Sequence, residues 1–205
     1  MTQTLISAHS VQPQPWRNGC GQTRELLVWP EYRVETSGRQ LRQAWQLRIS
    51  LADITEDGPF SAFEGVSRWF TVVTGAGVTL QFADGPVTLR AGNAPLAFNG
   101  AAAPGCTLLG EATLDLNLMV RHGQGTLKVI ADNASAVVTS VQLGLFSRVA
   151  GKLTDAYSQC IRVPAMSLFW DDRVIPASRW HFEPDEVTHD PVGWWMGFTP
   201  DGATV

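Results

Sequence analysis

The sequence predicts an all-β protein, a sandwich or barrel of short strands, and three observations predict it. Residues 44–54 and 113–121 alternate apolar and polar side chains, which is typical of antiparallel strands with one apolar face. The segments between them are short apolar runs separated by Gly, Asp-Gly and Gly-Pro turns. Helical periodicity is nearly absent, and its best candidate, a faint pattern, covers roughly residues 142–158.

The composition indicates a globular protein with a large core and few charges. Of the 205 residues, 44% are apolar and 17% charged, and the 19 glycines and 12 prolines suit many tight turns. The net charge of −4 and the scattered arginines provide no basic face for a nucleic acid. No apolar stretch approaches the roughly 18 residues that span a bilayer, so no membrane partner is expected.

Location is predicted from the cysteines and the N-terminus. Cys20, Cys106 and Cys160 are widely spaced and form no CxxC pair, which favours a reduced, intracellular protein. The first ten residues lack the basic and apolar regions of a signal peptide. We therefore expect a cytoplasmic protein.

The chain predicts an internal duplication. Its two alternating strands begin about seventy residues apart, and each opens a run of further strands, with residues 173–184 and 193–200 completing the second set. This spacing favours two similar β units, residues 1–110 and 111–205, packed as one compact body, with exchange of N-terminal strands between them as an option. One continuous larger barrel is the alternative.

Two motifs resemble the bacterial HutD/Ves family. They are WRNGCGQTREL at residues 16–26 and RISLADITEDGPFSAFEGVSRWFTVVTGAGVTLQFADG at residues 48–85, and the resemblance extends to about Arg121. It implies a two-cupin (bicupin) fold, a double-stranded β-barrel or jelly-roll, and a link of the HutD branch to histidine utilisation as a regulatory or ligand-binding component. Position 20, which a small, glycine-like residue occupies in the family motif, is Cys20 in this sequence. A cysteine at positive φ would be less favourable than a glycine.

The same resemblance implies that no metal is bound. The positions that hold two histidines, a glutamate and a later histidine in metal-binding cupins fall at or beside Ser61, Phe63, Arg68 and Pro95. A guanidinium has no lone pair to offer a metal ion. The four histidines, His9, His122, His181 and His189, lie far apart in sequence, and a site rebuilt from the last two with acidic neighbours is the alternative. We expect neither a metal nor another cofactor.

In a cupin-like barrel, the polar face of each alternating strand would point into a lumen. Gln46, Arg48 and Ser50, with Asp115 and Asn117, are then candidates to line a pocket; solvated outer faces are the alternative.

The N-terminal motif adds a loop to this predicted pocket. Asn18-Gly19 predicts a hairpin turn with positive φ at both residues, whose N–H groups could hold an anion. In the following strand either Thr23 and Glu25 or Gln22 and Arg24 face the pocket. We favour the first pair because Arg48 or Arg17 would then neutralise Glu25. The candidate ligand-binding residues are Arg17, Asn18, Gly19, Thr23, Glu25, Arg48, Ser50, Asp115 and Asn117.

These residues predict a site for a small carboxylate. The guanidinium groups of Arg17 and Arg48 match the two oxygens of a carboxylate, and Asn18, Ser50 and Asn117 could bind an amide or formyl oxygen. The context implied by the resemblance makes urocanate and N-formylglutamate the candidates. The leading hypothesis is a metal-independent binding protein that modulates histidine utilisation, and a homodimer is compatible with it.

An enzyme acting on the same metabolite is the second hypothesis, and an interaction protein with an empty lumen is the third. The sequence has no GxSxG elbow, P-loop or dinucleotide fingerprint, so the catalytic residues stay undefined. Glu25 or Asp115 could act as general acid or base, although we expect nearby arginines to keep their pKa values low. A thiolate at Cys20 is a further option.

Overall fold

The protein was analysed as a computed structural model that describes residues 3–30, 33–34, 40–41, 45–130, 135–137, 139–155, 157–172, 177–186 and 188–203. These residues form short strands and two single-turn 3-10 helices, Ala8–Ser10 and Gly100–Ala102, so the predicted all-β class is confirmed. None of the helices in these ranges has the length and apolar character needed to cross a membrane.

The strands follow one another with short connections. In the first part of the chain they are β1 (Gln3–Ser7), β2 (Gln14–Pro15), β3 (Gly21–Trp29), β4 (Arg33–Val34), β5 (Gln40–Leu41), β6 (Leu47–Ile54), β7 (Gly58–Pro59), β8 (Ser67–Thr74), β9 (Val78–Phe82), β10 (Gly85–Leu89), β11 (Leu96–Asn99), β12 (Gly105–Leu108) and β13 (Thr113–Val120). In the second part they are β14 (Gly123–Ile130), β15 (Ser135–Val137), β16 (Gln142–Ser147), β17 (Gly151–Thr154), β18 (Cys160–Val163), β19 (Ser167–Asp171), β20 (Arg179–Pro184) and β21 (Gly193–Pro200).

Four sheets carry the fold. Sheet I has the order β11-β8-β13-β6-β3-β2, and sheet II the order β10-β9-β12-β7. Sheet III has the order β1-β19-β16-β21-β14, sheet IV the order β15-β20-β17-β18, and β4 pairs with β5 alone. The apolar clusters join sheet II to sheet I, sheet I to sheet III, and sheet III to sheet IV. The four sheets therefore stack in the order II, I, III, IV.

Sheet I separates an apolar face from a polar one, as the alternation predicts. Leu47, Ile49 and Leu51 of β6 pack on sheet III through the largest apolar cluster. Arg48 and Ser50 project from the opposite face, toward sheet II, because successive side chains of a strand point to opposite sides. The site described below lies on this second face.

Sheet III is buried on both faces, and for that reason residues 142–158, which carry the faint helical pattern of the sequence, form strands that alternation did not identify. All six residues of β16 are buried, with Leu145 facing sheet IV and Phe146 facing sheet I. A strand between two apolar layers loses the polar alternation that would identify it in a sequence. The rest of that segment contains β17 and the start of the β17–β18 turn.

The sheets are open, which corrects the expectation of a closed double-stranded barrel. Among the described strands, β11 and β2 form the edges of sheet I, and β10 and β7 those of sheet II, without ladder hydrogen bonds between the two sheets. Strands β2 and β7 have only two residues each, which is too short to continue a ladder around a closed cylinder. The N-terminal strand β1 pairs with β19 and thus extends sheet III.

Candidate functional site

A cavity of about 580 Å³ lies on the face of sheet I that looks toward sheet II. Its walls come from β3, β6, β8 and β13, from the β2–β3 hairpin, and from residues 59–63. This volume is in the range of small-molecule sites in proteins. We call it the sheet I cavity.

Cross-strand pairing arranges the side chains of the cavity in rows. Ser50 on β6 lies opposite Asn117 on β13, and in the next row Arg48 lies opposite Met119, which in turn lies opposite Arg68 on β8. Directly opposed residues of an antiparallel pair share a face of the sheet. Two arginines therefore enter the cavity from either side of Met119.

Arg68 is the most enclosed cation of the cavity. Its side chain is buried, and its guanidinium carbon lies 4.3 Å from the ring centroid of Phe60 and 5.4 Å from that of Phe98. Its Nε and Nη2 donate to Oδ1 of Asn117 at 2.9 and 2.5 Å. Burial, with a smaller contribution from the charge of Arg48, lowers the pKa of Arg68 to about 9, so the group stays protonated at pH 7.

Arg68 also sets the orientation of Asn117. A guanidinium offers only donors, so the oxygen of the Asn117 amide faces Arg68 and accepts both hydrogen bonds. The amide nitrogen of Asn117, a donor with two hydrogens, is the part left for a ligand.

Arg48 is held by a carboxylate at the border of the cavity. Its Nε donates to Oε2 of Glu25 at 2.8 Å, and the two side chains are 20% and 29% exposed. Glu25 lies opposite Ser50 in the β3–β6 ladder, so its side chain starts on the cavity face, although it does not line the cavity itself. The terminal nitrogens of Arg48 make one long contact, 3.9 Å from Nη1 to the sulfur of Met119.

Thr23 provides a further donor. Its Oγ1 accepts a hydrogen bond from Nε1 of Trp16 at 2.7 Å, and both residues line the cavity. The indole engages one of the two lone pairs of this oxygen, and the hydroxyl hydrogen of Thr23 can point at a ligand. Gln22 and Arg24, the alternative pair, instead contact Asp53 on the other face of the sheet.

Asp115 lies on the same face of β13 as Asn117, opposite Ala52, but does not line the cavity. The carboxyl is fully buried, its Oδ2 accepts a hydrogen bond from Thr113 at 2.7 Å, and its Oδ1 is unpartnered. Burial raises the pKa of Asp115 to about 8 against the opposing effects of the Thr113 hydrogen bond and of Arg68. The expectation that nearby arginines keep this pKa low is therefore wrong, because desolvation outweighs their charge.

The N-terminal turn contributes side chains to the cavity, while the backbone N–H groups of Gly19 and Cys20 are engaged within the turn. Arg17 and Asn18 line the mouth of the cavity and are exposed, whereas Gly19 does not line it. Positive φ occurs at Gly19, at +78°, and at neither Asn18 nor Cys20, which corrects the predicted turn and removes the backbone cost at Cys20. The N–H of Gly19 donates to the carbonyl of Trp16, and that of Cys20 to Oδ1 of Asn18, so neither is free for an anion.

Sequence reasoning missed Arg68 and the aromatic wall of the cavity. Trp16, Phe60 and Phe63 line the cavity with Arg68. The alternation of Arg68, Phe70 and Val72 in a predicted strand was the available signal for a polar group on an inward face. Gln46, considered with Arg48 and Ser50, does not line the cavity.

The residues of the cavity do not fit a metal ion. Ser61, Phe63 and Arg68, at three of the positions compared with metal-binding cupins, offer a hydroxyl, a phenyl ring and a guanidinium. Across the described ranges, no three His, Cys, Asp or Glu side chains converge as a cation site. The ring Nδ1 of His181 lies 3.1 Å from the hydroxyl of Ser135, in sheet IV and away from the cavity.

Comparisons with known proteins point in one direction. Residues 8–155 match the HutD family. An uncharacterized 21.2 kDa protein in the hutC 3' region of Pseudomonas putida is 36% identical over 115 residues, a match that spans 56% of this chain and 56% of that protein. Protein Ves of Citrobacter koseri is 26% identical over 200 residues, 91% of this chain and 92% of that protein.

Solved structures share the fold. HutD from Pseudomonas fluorescens SBW25 superposes with a TM-score of 0.76 at 21% identity, covering 98% of this chain and 100% of that one. The oxalate decarboxylase of Lactobacillus farciminis superposes with a TM-score of 0.58 at 9% identity, covering 98% of this chain and 87% of that one. The fold is thus all-β and cupin-like.

Proposed function

The chain belongs to the HutD family, and from this membership and the chemistry of the sheet I cavity we propose that it binds a small carboxylate metabolite and modulates histidine utilisation. The resemblance to the HutD/Ves family that the motifs predicted is confirmed. The family is linked to the histidine utilisation region, as the position of the Pseudomonas putida relative illustrates. The candidates are urocanate and N-formylglutamate.

The observation that carries the proposal is the excess of hydrogen-bond donors over acceptors in the cavity. Arg48 and Arg68 present guanidinium N–H groups, Asn117 its amide nitrogen, and Thr23 its hydroxyl hydrogen. The acceptors in contact with these groups, Glu25 and the Asn117 oxygen, are already engaged. An oxyanion supplies only acceptors, so a carboxylate complements this set better than a neutral or cationic compound does.

A second candidate function, catalysis on the same metabolite, is favoured by the raised pKa of Asp115 alone. A carboxyl that is neutral at pH 7 can donate a proton. Its side chain is fully buried and lies outside the cavity lining, so it has no path to a bound ligand in this structure. Binding without turnover is therefore the function we propose.

We also propose that the chain consists of two cupin-like units. Sheets I and II would form the first and sheets III and IV the second, each with its own apolar cluster. Strand β13 lies at the centre of sheet I, so the first unit would extend past residue 110. Strand β1 lies at the edge of sheet III, so the N-terminal strand of the chain would belong to the second unit. A dimeric assembly of the chain stays a prediction, which the mass measured by light scattering would test.

A thermal-shift and calorimetry experiment tests the binding proposal. We expect urocanate or N-formylglutamate at about a hundred times its dissociation constant to add about 2.7 kcal/mol to the free energy of unfolding. Arg48→Ala should abolish the shift, because the cavity is then left with one guanidinium, Arg68, and one unpaired carboxylate, Glu25, and has no net positive charge for an anion. The unliganded melting temperature should change little, since Glu25 can be rehydrated when its partner is removed.

The matched control is Arg162→Ala. Arg162 pairs with Asp185 on sheet IV, so this variant removes an equally charged, ion-paired arginine outside the cavity and should keep the shift. Absence of binding by both compounds in the wild-type protein, or an equal loss in the two variants, would contradict the proposal. Turnover of a bound compound, followed by NMR, would favour the enzyme instead.

A further inference from the structure

The charges around the sheet I cavity are unequal. Arg48 and Arg68 line it, Glu25 is paired to Arg48, and Asp115 lies opposite Ala52 of the lining. Asp115 is predominantly protonated at pH 7, because burial raises its pKa to about 8. Two guanidinium groups and one carboxylate therefore leave one uncompensated positive charge. Arg17 adds a charge at the mouth, where it is exposed and screened by water.

The hydrogen bonds indicate which arginine carries this uncompensated charge. Arg48 already shares its charge with Glu25, whereas the side-chain partner of Arg68 is the neutral amide of Asn117. The phenyl rings around Arg68 exclude water from its sides without neutralising it. A carboxylate bound against Arg68 and Asn117 would restore neutrality. A second carboxylate on the same ligand would have no unpaired cation to bind, because the charge of Arg48 is already neutralised by Glu25. The negative charge of Glu25 would also repel it.

A large part of the remaining wall of the cavity is apolar, beside the uncharged polar side chains of Gln14, Ser50 and Ser61. Trp16, Phe60, Phe63 and Met119 line it together with Ala52. These side chains offer contact area to a hydrocarbon or aromatic body and no partner for a further charge. The cavity thus has one place for an anion and an apolar place for the rest of the molecule.

We propose that the sheet I cavity selects singly charged carboxylates with an apolar body, and that Glu25 sets this selectivity by excluding ligands with a second carboxylate. This inference rests on the proposed function and makes it narrower. Of the two candidates above, it favours urocanate, which has one carboxylate, over N-formylglutamate, which has two.

Three probes of the same shape and different charge test the selectivity. They are cinnamate with one negative charge, 4-carboxycinnamate with two, and cinnamamide with none, each titrated by calorimetry at pH 7 and low salt. We expect cinnamate to bind at least about tenfold more tightly than either of the others. If 4-carboxycinnamate binds as tightly as cinnamate or more tightly, the selectivity is overturned and carboxylate binding stands. If neither acid binds and the histidine-pathway acids also fail, the proposed function itself is overturned.

The role of Glu25 is tested with Glu25→Gln. Without its charge, the cavity would hold two uncompensated arginines, and we expect the preference for cinnamate over 4-carboxycinnamate to fall at least about threefold. The matched control is Asp185→Asn, which removes one negative charge from the chain at an ion pair on sheet IV. An unchanged preference in Glu25→Gln, or an equal change in both variants, would contradict this role. Should Glu25→Gln not fold, the ratio measured on the wild-type protein still decides the selectivity.

Discussion

Sheets I and II face each other across both polar and apolar side chains, whereas sheets III and IV face each other mainly across apolar ones. The first interior holds two arginines, an aspartic acid and an asparagine beside nine buried apolar residues. The second is filled by ten buried apolar residues, among them Trp180, Phe182 and Phe169. Both interiors are made of short antiparallel strands, so strand geometry does not account for the difference.

The different composition of the two interiors means that one mainly stabilises the fold and the other can bind a ligand. Burying a charge without a full set of partners is unfavourable, and Arg68 and Asp115 both show this cost as displaced pKa values. Burying a large apolar side chain is favourable by about 1.5–3 kcal/mol. The interior between sheets III and IV therefore stabilises the chain, and the stability of sheet III extends to sheet I through their shared apolar cluster. The polar interior can then keep guanidinium, amide and hydroxyl groups that face the cavity.

The largest expected effect comes from the apolar interior. Trp180 is fully buried and packs against Phe169 with ring centroids 5.5 Å apart. We expect Trp180→Ala to lower the free energy of unfolding by about 3–5 kcal/mol in urea denaturation. Cinnamate affinity, measured at a temperature where the variant is folded, should stay unchanged. A loss of affinity in that folded variant would show that the two interiors are not separate.

Asp115→Asn should have the opposite effect on stability. The pKa of Asp115 lies at about 8 in the folded protein and at 3.8 ordinarily, so the folded protein keeps a proton that the unfolded chain has released between these values. The contribution of Asp115 to the free energy of unfolding should thus be highest below about pH 4 and should fall as the pH rises to about 8. We expect the variant to be more stable than the wild type by on the order of 3 kcal/mol at pH 9, with a shallower pH dependence.

Asp155→Asn is the control for that measurement. Asp155 is also a buried carboxylate, but its Oδ1 accepts hydrogen bonds from the backbone N–H groups of Tyr157 and Gln159, both at 2.8 Å. Replacement should weaken these bonds and lower stability by about 1 kcal/mol. Equal free energies of unfolding of the wild type at pH 5 and pH 9 would contradict the role of Asp115.

The sequence predicted one of these interiors better than the other, for a physical reason. In β6 and β13 one face is apolar and the other polar, so alternation identified both strands and put Arg48, Ser50 and Asn117 on a common side. In β16 both faces are covered, the polar face disappears, and the sequence shows only a faint helical pattern there. Period-two reasoning succeeds only where the two faces differ.

The lining of the cavity was predicted incompletely, because which side chains lie next to one another across a sheet depends on how the strands pair. Arg68 enters the site through the register of β8 on β13, which no local pattern contains. The prediction of a closed barrel was wrong for a similar reason, since closure depends on the lengths of edge strands such as β2 and β7. The protonation of Asp115 depends on burial, which alternation could not quantify.

Gly144→Ala tests how tightly sheet III, which is buried on both faces, is packed. A Cβ built on Gly144 in β16 would lie 2.5 Å from the ring of Trp170, which packs in the cluster between sheets I and III. We expect overpacking to lower the free energy of unfolding by about 1–3 kcal/mol. Gly105→Ala is the control, because there the nearest atom to the added Cβ is 3.7 Å away, an ordinary contact. Equal stability of the two variants in urea would contradict the tight packing of sheet III.

The smallest expected change in stability lies at Thr23, whose hydroxyl lines the sheet I cavity. Thr23→Val keeps the shape and removes the acceptor of the Trp16 N–H, which should lower the free energy of unfolding by about 1 kcal/mol. It also removes a donor to the carboxylate, and we expect cinnamate affinity to fall about fivefold to tenfold. Thr23→Ser retains the hydroxyl and should retain affinity. If the valine variant binds as well as the serine variant, Thr23 touches Trp16 only, and the donors for a carboxylate are Arg48, Arg68 and Asn117.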